Sequence, residues 1–208
     1  MLNLLKEFGM FHYLKFKPTA VEFGGEKVIL FFLPHLVDEH VRLYQAFGLD
    51  CGVLKFLAGK RMGADFIRRH GIPLGKTLTE VVGLSCNVLN AFGWGVFRTV
   101  KVDEKQGFMV VEAEHSIFAE ELKKRHGPRK EPVDWLLAGL FAGALEHYAG
   151  TKIWTVELSC MAEKDVAHCT FLSARAGDLV GCARRMAPGK AKWVSRVAER
   201  IRRLERCT

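Results

Sequence analysis

The chain has 208 residues, of which 49% are hydrophobic and 26% are charged. This composition is that of an ordinary globular protein, so it excludes a disordered or fibrous chain, and the length predicts one domain. No apolar run approaches the roughly 18 to 20 residues of a membrane-spanning helix, and most of the net charge of +8 lies near the C-terminus.

The first half of the chain predicts a hairpin and several helices. Apolar spacing over residues 2–9 predicts a short helix, and residues 21–33, interrupted by two glycines, predict a hairpin that ends at a proline. Apolar residues then recur at helical spacing in three segments, which cover residues 35–47, 53–70 and 74–92.

The pattern changes to strict alternation in the middle of the chain. Residues 96–102 and 108–113 alternate apolar and polar side chains, which is typical of an antiparallel hairpin with one wet face. Ser116 is then the predicted N-cap of a short helix that ends at Lys124.

The last part of the chain predicts a helix, a hairpin and a second helix. Pro132 suits the first turn of a helix that ends at Tyr148, and the small residues of Gly139-x-x-x-Gly143 permit close approach to a sheet or another helix. Residues 153–160 and 169–174 predict two strands, and residues 189–207 predict a basic amphipathic helix.

These elements predict an α+β fold, in which an antiparallel sheet of about four or more strands packs against several helices. We divide the chain into an N-terminal segment, a main domain and a basic C-terminal helix, over residues 1–18, 19–175 and 176–208. The N-terminal segment is a candidate dimer contact.

Cysteine usage and the N-terminus favour the cytoplasm. Six scattered cysteines in a chain of this size do not form the pattern of a disulfide framework, so reduced thiols are expected. The first residues lack the features of a secretory signal. Asparagine and glutamine are scarce while lysine, arginine and glutamate abound, a bias common in thermophile proteins.

A metal site is predicted at the mouth of the last hairpin. Glu157-x-x-Cys160 and Cys169 supply a carboxylate and two thiols, which suit tetrahedral zinc, and the fourth ligand is either Asp134 or His168. Strict alternation places Glu157 and Cys160 on opposite faces, so the site requires the strand to bulge or to end before Cys160. The alternative interpretation is that both cysteines are small buried hydrophobic residues.

Aromatic side chains near the predicted sheet and its covering helix are candidates for lining an apolar ligand cavity, although aromatic residues at such spacing are more often part of the ordinary core. The candidates are Phe92, Trp94, Phe97, Phe108, Trp135 and Phe141.

The other chemical motifs are weak. The basic C-terminal helix permits nucleic acid as a partner. We favour the interpretation that the apolar stripe of this helix docks onto the domain or onto a second subunit. Phosphate-binding loops, nucleophile elbows and metalloprotease motifs do not occur, so a conventional hydrolase is not expected.

Several short motifs follow one another in an informative order: Phe92-Gly-Trp-Gly95, Glu114-His115-Ser116, Pro132-Val-Asp-Trp135, and Glu157-x-x-Cys160 with Cys169-x-Phe171. This succession resembles the 4-vinyl reductase domain family over roughly residues 20–175. That family is similar in fold to trafficking-particle (TRAPP) subunits. It includes phenol-sensing domains of bacterial regulators, a bacteriochlorophyll-biosynthesis protein and archaeal predicted hydrocarbon-binding proteins.

The resemblance implies a TRAPP-like fold, a homodimer, a small apolar or aromatic ligand and a structural zinc. In the phenol-sensing relatives zinc is held by the Glu-x-x-Cys pair, by the cysteine after the turn and by a cysteine in the preceding helix. Glu157, Cys160 and Cys169 match the first three, whereas Asp134 replaces the fourth. Two alternatives remain, namely an enzyme or accessory protein for a vinyl-bearing or tetrapyrrole-like substrate, and an interaction scaffold.

Overall fold

The predicted helix over residues 2–9 lies outside the part of the chain that the computed structural model describes, which comprises residues 14–17, 20–23, 26–28, 32–70 and 77–207. The predicted N-terminal hairpin is present among these residues. It forms part of a three-stranded antiparallel sheet with the order β1-β2-β3, whose strands are Leu14–Lys17 (β1), Ala20–Phe23 (β2) and Glu26–Val28 (β3).

Three helices follow, as their apolar spacing predicts: Leu33–Phe47 (α1), Leu49–His70 (α2) and Leu78–Ala91 (α3). Pro34, which we expected to end a strand, lies in the first turn of α1, where a missing N–H costs nothing. Helix α3 begins with a capping box in which Thr77 and Glu80 satisfy each other's backbone N–H groups.

The main sheet has four antiparallel strands in the order β4-β5-β7-β6, and two helices connect its two hairpins. The strands are Val96–Asp103 (β4), Phe108–Glu114 (β5), Ile153–Ser159 (β6) and Cys169–Arg175 (β7), and the connecting helices are Ile117–His126 (α4) and Trp135–Ala149 (α5). The predicted α+β architecture is therefore confirmed.

Helix α5 lies at the centre of the molecule because glycines let its backbone touch that of α2. A Cβ atom on Gly143 would collide with the Lys60 carbonyl oxygen, and one on Gly139 with the Phe56 carbonyl oxygen. The contact is reciprocal, since Gly59 and Gly63 of α2 approach carbonyl oxygens of α5 equally closely. The sequence analysis identified only the glycines of α5.

Two helix N-termini differ from the prediction. Helix α5 begins at Trp135 rather than at Pro132, with Asp134 in the N-cap position. Ser116 occupies the N-cap position of α4, but its side chain makes no capping hydrogen bond. The Ser116 hydroxyl and the Asp134 carboxylate bond to each other instead.

The C-terminal region folds back onto the main domain. Helix Leu179–Met186 (α6), which we did not predict, and a short 3₁₀ turn at Pro188–Lys190 lead into Ala191–Glu205 (α7). Helix α7 buries Val197 and Ile201 and pairs with α2 through Arg200 and Asp50. The docking of its apolar stripe on the domain is thus present.

Helix α7 also lies along β6, which is an edge strand of the main sheet. The indole N–H of Trp193 donates a hydrogen bond of 3.4 Å to the Glu157 carbonyl oxygen. Unpaired edge groups promote wrong pairing with other chains, so this helix protects the edge.

Across the described ranges, every helix falls short of the length and apolar content that crossing a bilayer demands.

Candidate metal centre

A bulge in β6 reorients the side chains at its end. Glu157 pairs with Phe171 and Ser159 pairs with Thr170, so one extra residue, Leu158, stands on β6 between two consecutive positions of β7. The strand then ends at Ser159. Both conditions that the sequence analysis set for joining Glu157 to Cys160 are therefore met.

The structure brings four side chains together in the interior: Asp134, Glu157, Cys160 and Cys169. One ligand atom from each lies within 4.8 Å of the other three. The Cys169 sulfur is 3.7 Å from the Cys160 sulfur and 3.6 Å from Asp134 Oδ2. The exposed fraction of each of the four residues is 5% or less.

The spacing of these atoms suits a tetrahedral ion. Sulfurs bound to zinc at about 2.3 Å are about 3.8 Å apart in a regular tetrahedron, and a sulfur and an oxygen are about 3.6 Å apart. The two observed distances of 3.7 and 3.6 Å agree with these values. The donor set of two sulfurs and two carboxylates is also one that zinc accepts.

Glu157 has one oxygen with partners and one without. Its Oε2 accepts hydrogen bonds from the backbone N–H groups of Val133 and Asp134, at 2.9 and 2.8 Å. Its Oε1 is buried and has no hydrogen-bond partner. A buried carboxylate oxygen without a partner costs free energy, and a cation would remove that cost.

Hydrogen bonds from neighbouring groups orient the other ligand atoms. Ser116 Oγ donates a hydrogen bond of 2.6 Å to Asp134 Oδ2. The backbone N–H groups of Met161 and Ala162 donate to the sulfurs of Cys169 and Cys160, each at 3.4 Å. Such outer contacts fix the orientation of metal ligands and favour the thiolate form.

Burial shifts all four groups toward their protonated forms. It raises the pKa of Asp134 to about 6, and burial together with the Asp134 charge raises the pKa of Glu157 to about 8. Burial raises the pKa of Cys160 to about 12, and the hydrogen bond to Cys160, followed by burial, raises the pKa of Cys169. Acidic groups crowded in a dry interior need either protons or a cation.

The turn after Cys160 is braced by charged residues that the sequence analysis did not single out. Glu163 accepts a hydrogen bond from the Cys160 backbone N–H, and Lys190 pairs with Glu163 at 3.1 Å. Lys123 donates to the carbonyl oxygens of Met161 and Glu163. No local pattern marks Lys123 and Lys190, because they reach this turn from segments that are distant in the sequence.

His168, the alternative fourth ligand, is not in this cluster. Its Nε2 atom is 3.3 Å from Glu112 Oε1, and the histidine side chain is 39% exposed. Cys169 points inward from β7, so the residue before it points to the other side of the strand.

The six candidate pocket aromatics do not converge on one space. Phe97 and Phe141 pack ring against ring at 5.9 Å, and Phe108 is buried with Lys101 over its ring. Phe92 is 43% exposed, and its ring is 6.0 Å from that of Phe66. Trp94 packs against the core from a partly buried position.

Trp135 lies beside the metal cluster and lines a small cavity. The cavity has a volume of about 10 Å³ and also touches Glu157 and Trp193. Its size is about that of one water molecule. The Trp135 indole N–H is buried and has no hydrogen-bond partner.

No family model and no curated protein matches this chain in sequence. Solved structures do match in fold. The phenol-responsive sensory domain of the transcription activator PoxR, solved with phenol, superposes with a TM-score of 0.71 at 18% identity, over 85% of this chain and 90% of that one.

Two further structures are similar. Subunit 3 of the trafficking protein particle complex from Naegleria fowleri, covalently bound to palmitic acid, has a TM-score of 0.51 at 11% identity, over 69% of this chain and 94% of that one. A vinyl-4-reductase family protein from Methanocaldococcus jannaschii has a TM-score of 0.46 at 13% identity, over 71% and 83%.

At these identities the likeness concerns the fold. The phenol-sensing domain and the trafficking-particle subunit both belong to groups that the sequence analysis named, so the resemblance is confirmed at the level of architecture. The comparison carries over the fold and not the ligands or activities of the similar proteins.

Proposed function

We propose that this protein binds a small apolar or aromatic molecule and that a zinc ion, held by Asp134, Glu157, Cys160 and Cys169, stabilises its fold. The observation that carries the zinc proposal is the convergence of four buried ligand atoms on one point, with Glu157 Oε1 lacking any partner. A divalent cation would replace the protons that the buried groups otherwise hold.

The proposed role of the ion is structural. Four protein ligands complete a tetrahedral zinc and leave no position for water or substrate. The ligands come from the N-terminus of α5, from both ends of the β6–β7 turn and from β6 itself. The ion would therefore fasten the last hairpin to the central helix.

Zinc content of purified variants tests this assignment. We expect one zinc per chain in the wild type, little in Asp134→Asn, and full occupancy in His168→Gln, which alters the other candidate outside the cluster. Elemental analysis after dialysis against metal-free buffer measures all three. A wild-type protein without zinc would contradict the proposal. Zinc loss in His168→Gln but not in Asp134→Asn would make His168 the fourth ligand in place of Asp134.

The ligand proposal rests on the fold and on Trp135. The similar PoxR domain was solved with phenol. In this chain Trp135 lines a small cavity, and its buried indole N–H has no hydrogen-bond partner that a ligand hydroxyl would have to displace. The cavity holds about one water molecule, so the Trp135 and Trp193 side chains, whose rings are 5.8 Å apart, must separate to admit a ring.

An interaction scaffold is the second candidate, and the small cavity favours it. A protein whose interior is filled has no room for a ligand, and the similar trafficking subunit is part of a complex. Leu54 and Met62 on the outer face of α2 are 51% and 53% exposed. Exposed apolar groups of this kind suit a protein contact.

Native mass spectrometry separates the two candidates. We expect the protein to bind phenol or palmitic acid at one molecule per chain, and Trp135→Phe to weaken phenol binding by about tenfold, the effect of losing one buried hydrogen bond. Phe32→Ala, far from Trp135 in sequence and 78% exposed, is the control. Absence of binding for both probes would favour the scaffold.

A further inference from the structure

A second candidate site is at the opposite end of the β6–β7 hairpin from the metal cluster. A groove of about 330 Å³ opens there between the start of β6, the residues after β7 and the last turn of α7. It is lined by Lys152, Trp154, Ala176, Gly177, Arg202, Glu205 and Arg206. The volume is within the range of small-molecule sites.

The charges in this groove are unbalanced. Glu205 is its only lining carboxylate, and that carboxylate is already bound by Lys60 at 2.7 Å, by Lys152 at 3.3 Å and by the Trp154 indole N–H at 3.2 Å. Arg202 and Arg206 have no carboxylate partner among the described residues. The groove therefore presents two uncompensated guanidinium groups.

The floor of the groove holds one guanidinium in place and leaves space beside it. Arg202 lies over the buried ring of Trp154, with its Cζ atom 5.6 Å from the ring centroid, which leaves its N–H edge free. A Cβ atom on Gly177 would meet nothing within 4 Å, so the space beside the arginines is open.

We propose that this groove binds the oxyanion group, phosphate or carboxylate, of a small organic molecule. Planar guanidinium groups bind such oxyanions in bidentate fashion, and two of them at one groove favour a doubly charged group. The groove is larger than an inorganic oxyanion needs, so it also accommodates an organic portion. This site is independent of the proposed zinc and apolar-ligand functions, since the length of β6, about 20 Å, separates it from the cluster.

Titration of the full-length protein with inorganic phosphate and with succinate tests the proposal and distinguishes the two oxyanions. Isothermal calorimetry at low salt should show saturable binding of one of them at one site. The double variant Arg202→Gln, Arg206→Gln should weaken that binding at least about tenfold. Gly177→Glu, which places a carboxylate in the open space, should do the same without removing an arginine.

The matched control is Lys192→Gln, Arg203→Gln, which removes the same charge from exposed positions of α7 outside the groove. It should leave the affinity within about twofold. Equal weakening in the control would mean general attraction to a basic helix, including attraction of nucleic acid, and would overturn the proposal. No saturable binding of either probe by the wild type would overturn it as well.

Discussion

Ser116 donates a hydrogen bond of 2.6 Å to Asp134 in the interior, and both residues stand at helix N-termini that they do not cap. A buried hydroxyl and a buried carboxylate satisfy each other there. The bond also fixes the direction in which the carboxylate faces the two sulfurs. Ser116 is therefore a positioning residue for the proposed zinc ligand.

We expect Ser116→Ala to lower zinc affinity by about 10- to 100-fold, the usual effect of losing an outer partner of a metal ligand. Competition against a chromophoric chelator measures this affinity. Ser85→Ala removes a hydroxyl that donates to the Val81 carbonyl oxygen of its own helix, outside the metal cluster, so it should leave zinc affinity unchanged. Equal affinities in Ser116→Ala and the wild type would contradict the positioning role.

His40 joins three helices at a buried position. Its Nδ1 atom is 2.7 Å from the Lys55 ammonium of α2, and its ring meets that of Phe118 in α4 at 5.2 Å. Burial, with the nearby charges of Lys55 and Arg129, lowers the pKa of His40 to about 3. The imidazole is therefore neutral in the folded protein and accepts the lysine hydrogen bond.

The low pKa of His40 predicts loss of stability in acid. The unfolded histidine takes up a proton below its usual value of 6.5 while the folded one does not, so the free energy of unfolding falls as pH decreases from about 6.5 to about 3. This group alone contributes a slope of roughly 1.4 kcal/mol per pH unit. Urea unfolding of His40→Gln should show a shallower pH dependence across this window than the wild type, and identical slopes would contradict the assignment.

At the scale of secondary structure, two features depend on backbone contacts. The glycines of α2 and α5 bring the two helices close enough for carbonyl oxygens to touch Cα atoms. Helix α7 covers the edge of β6, which would otherwise be open. Helix α5 also packs against β6, and the metal cluster forms between its N-terminus and the end of that strand.

Gly143→Ala should destabilise the protein by about 1 to 3 kcal/mol, since its methyl group would strike the Lys60 carbonyl oxygen, a backbone atom that cannot rotate away. Gly83→Ala is the matched control, because a Cβ atom in that helix meets nothing within 4 Å. The control should stabilise by up to about 1 kcal/mol through helix propensity. Guanidinium unfolding measures both, and equal effects would show that the helices have room to separate.

At the scale of the whole molecule, the proposed zinc connects the sheet to the central helix. Such an ion binds the folded state alone, because the four ligands are far apart in the unfolded chain. Its removal should therefore loosen the last hairpin and lower the stability of the whole domain.

Chelation should lower the melting temperature on the order of 10 °C, the shift expected for a chain of this size when an ion present at about 1,000 times its Kd is removed. Zinc added back should restore it. In Cys160→Ser the melting temperature should start low and respond to neither treatment. An unchanged wild-type melting temperature after chelation would mean that no ion contributes to the fold.

Local patterns in the sequence determined the secondary structure and identified three of the four residues of the metal cluster. Strand alternation and helical spacing depend on neighbouring residues only, so the helices α1 to α3 and the two hairpins of the main sheet were predicted to within a few residues. Helix α6 was missed because it has only eight residues, about two turns, which is too short for a helical period to stand out in the sequence. Glu157, Cys160 and Cys169 were grouped because one hairpin joins them.

Only the tertiary structure decided which residues complete the cluster and how full the interior is. Spacing alone left Asp134 and His168 as alternative fourth ligands, and the family resemblance pointed to Asp134. The site also required the strand to bulge or to end before Cys160, at a place that the sequence did not locate. The extra residue Leu158 and the packing of α5 against β6 bring Asp134 inward, while the alternation of β7 turns His168 outward to Glu112. Such convergence depends on register and on contacts between distant segments, which no local spacing encodes.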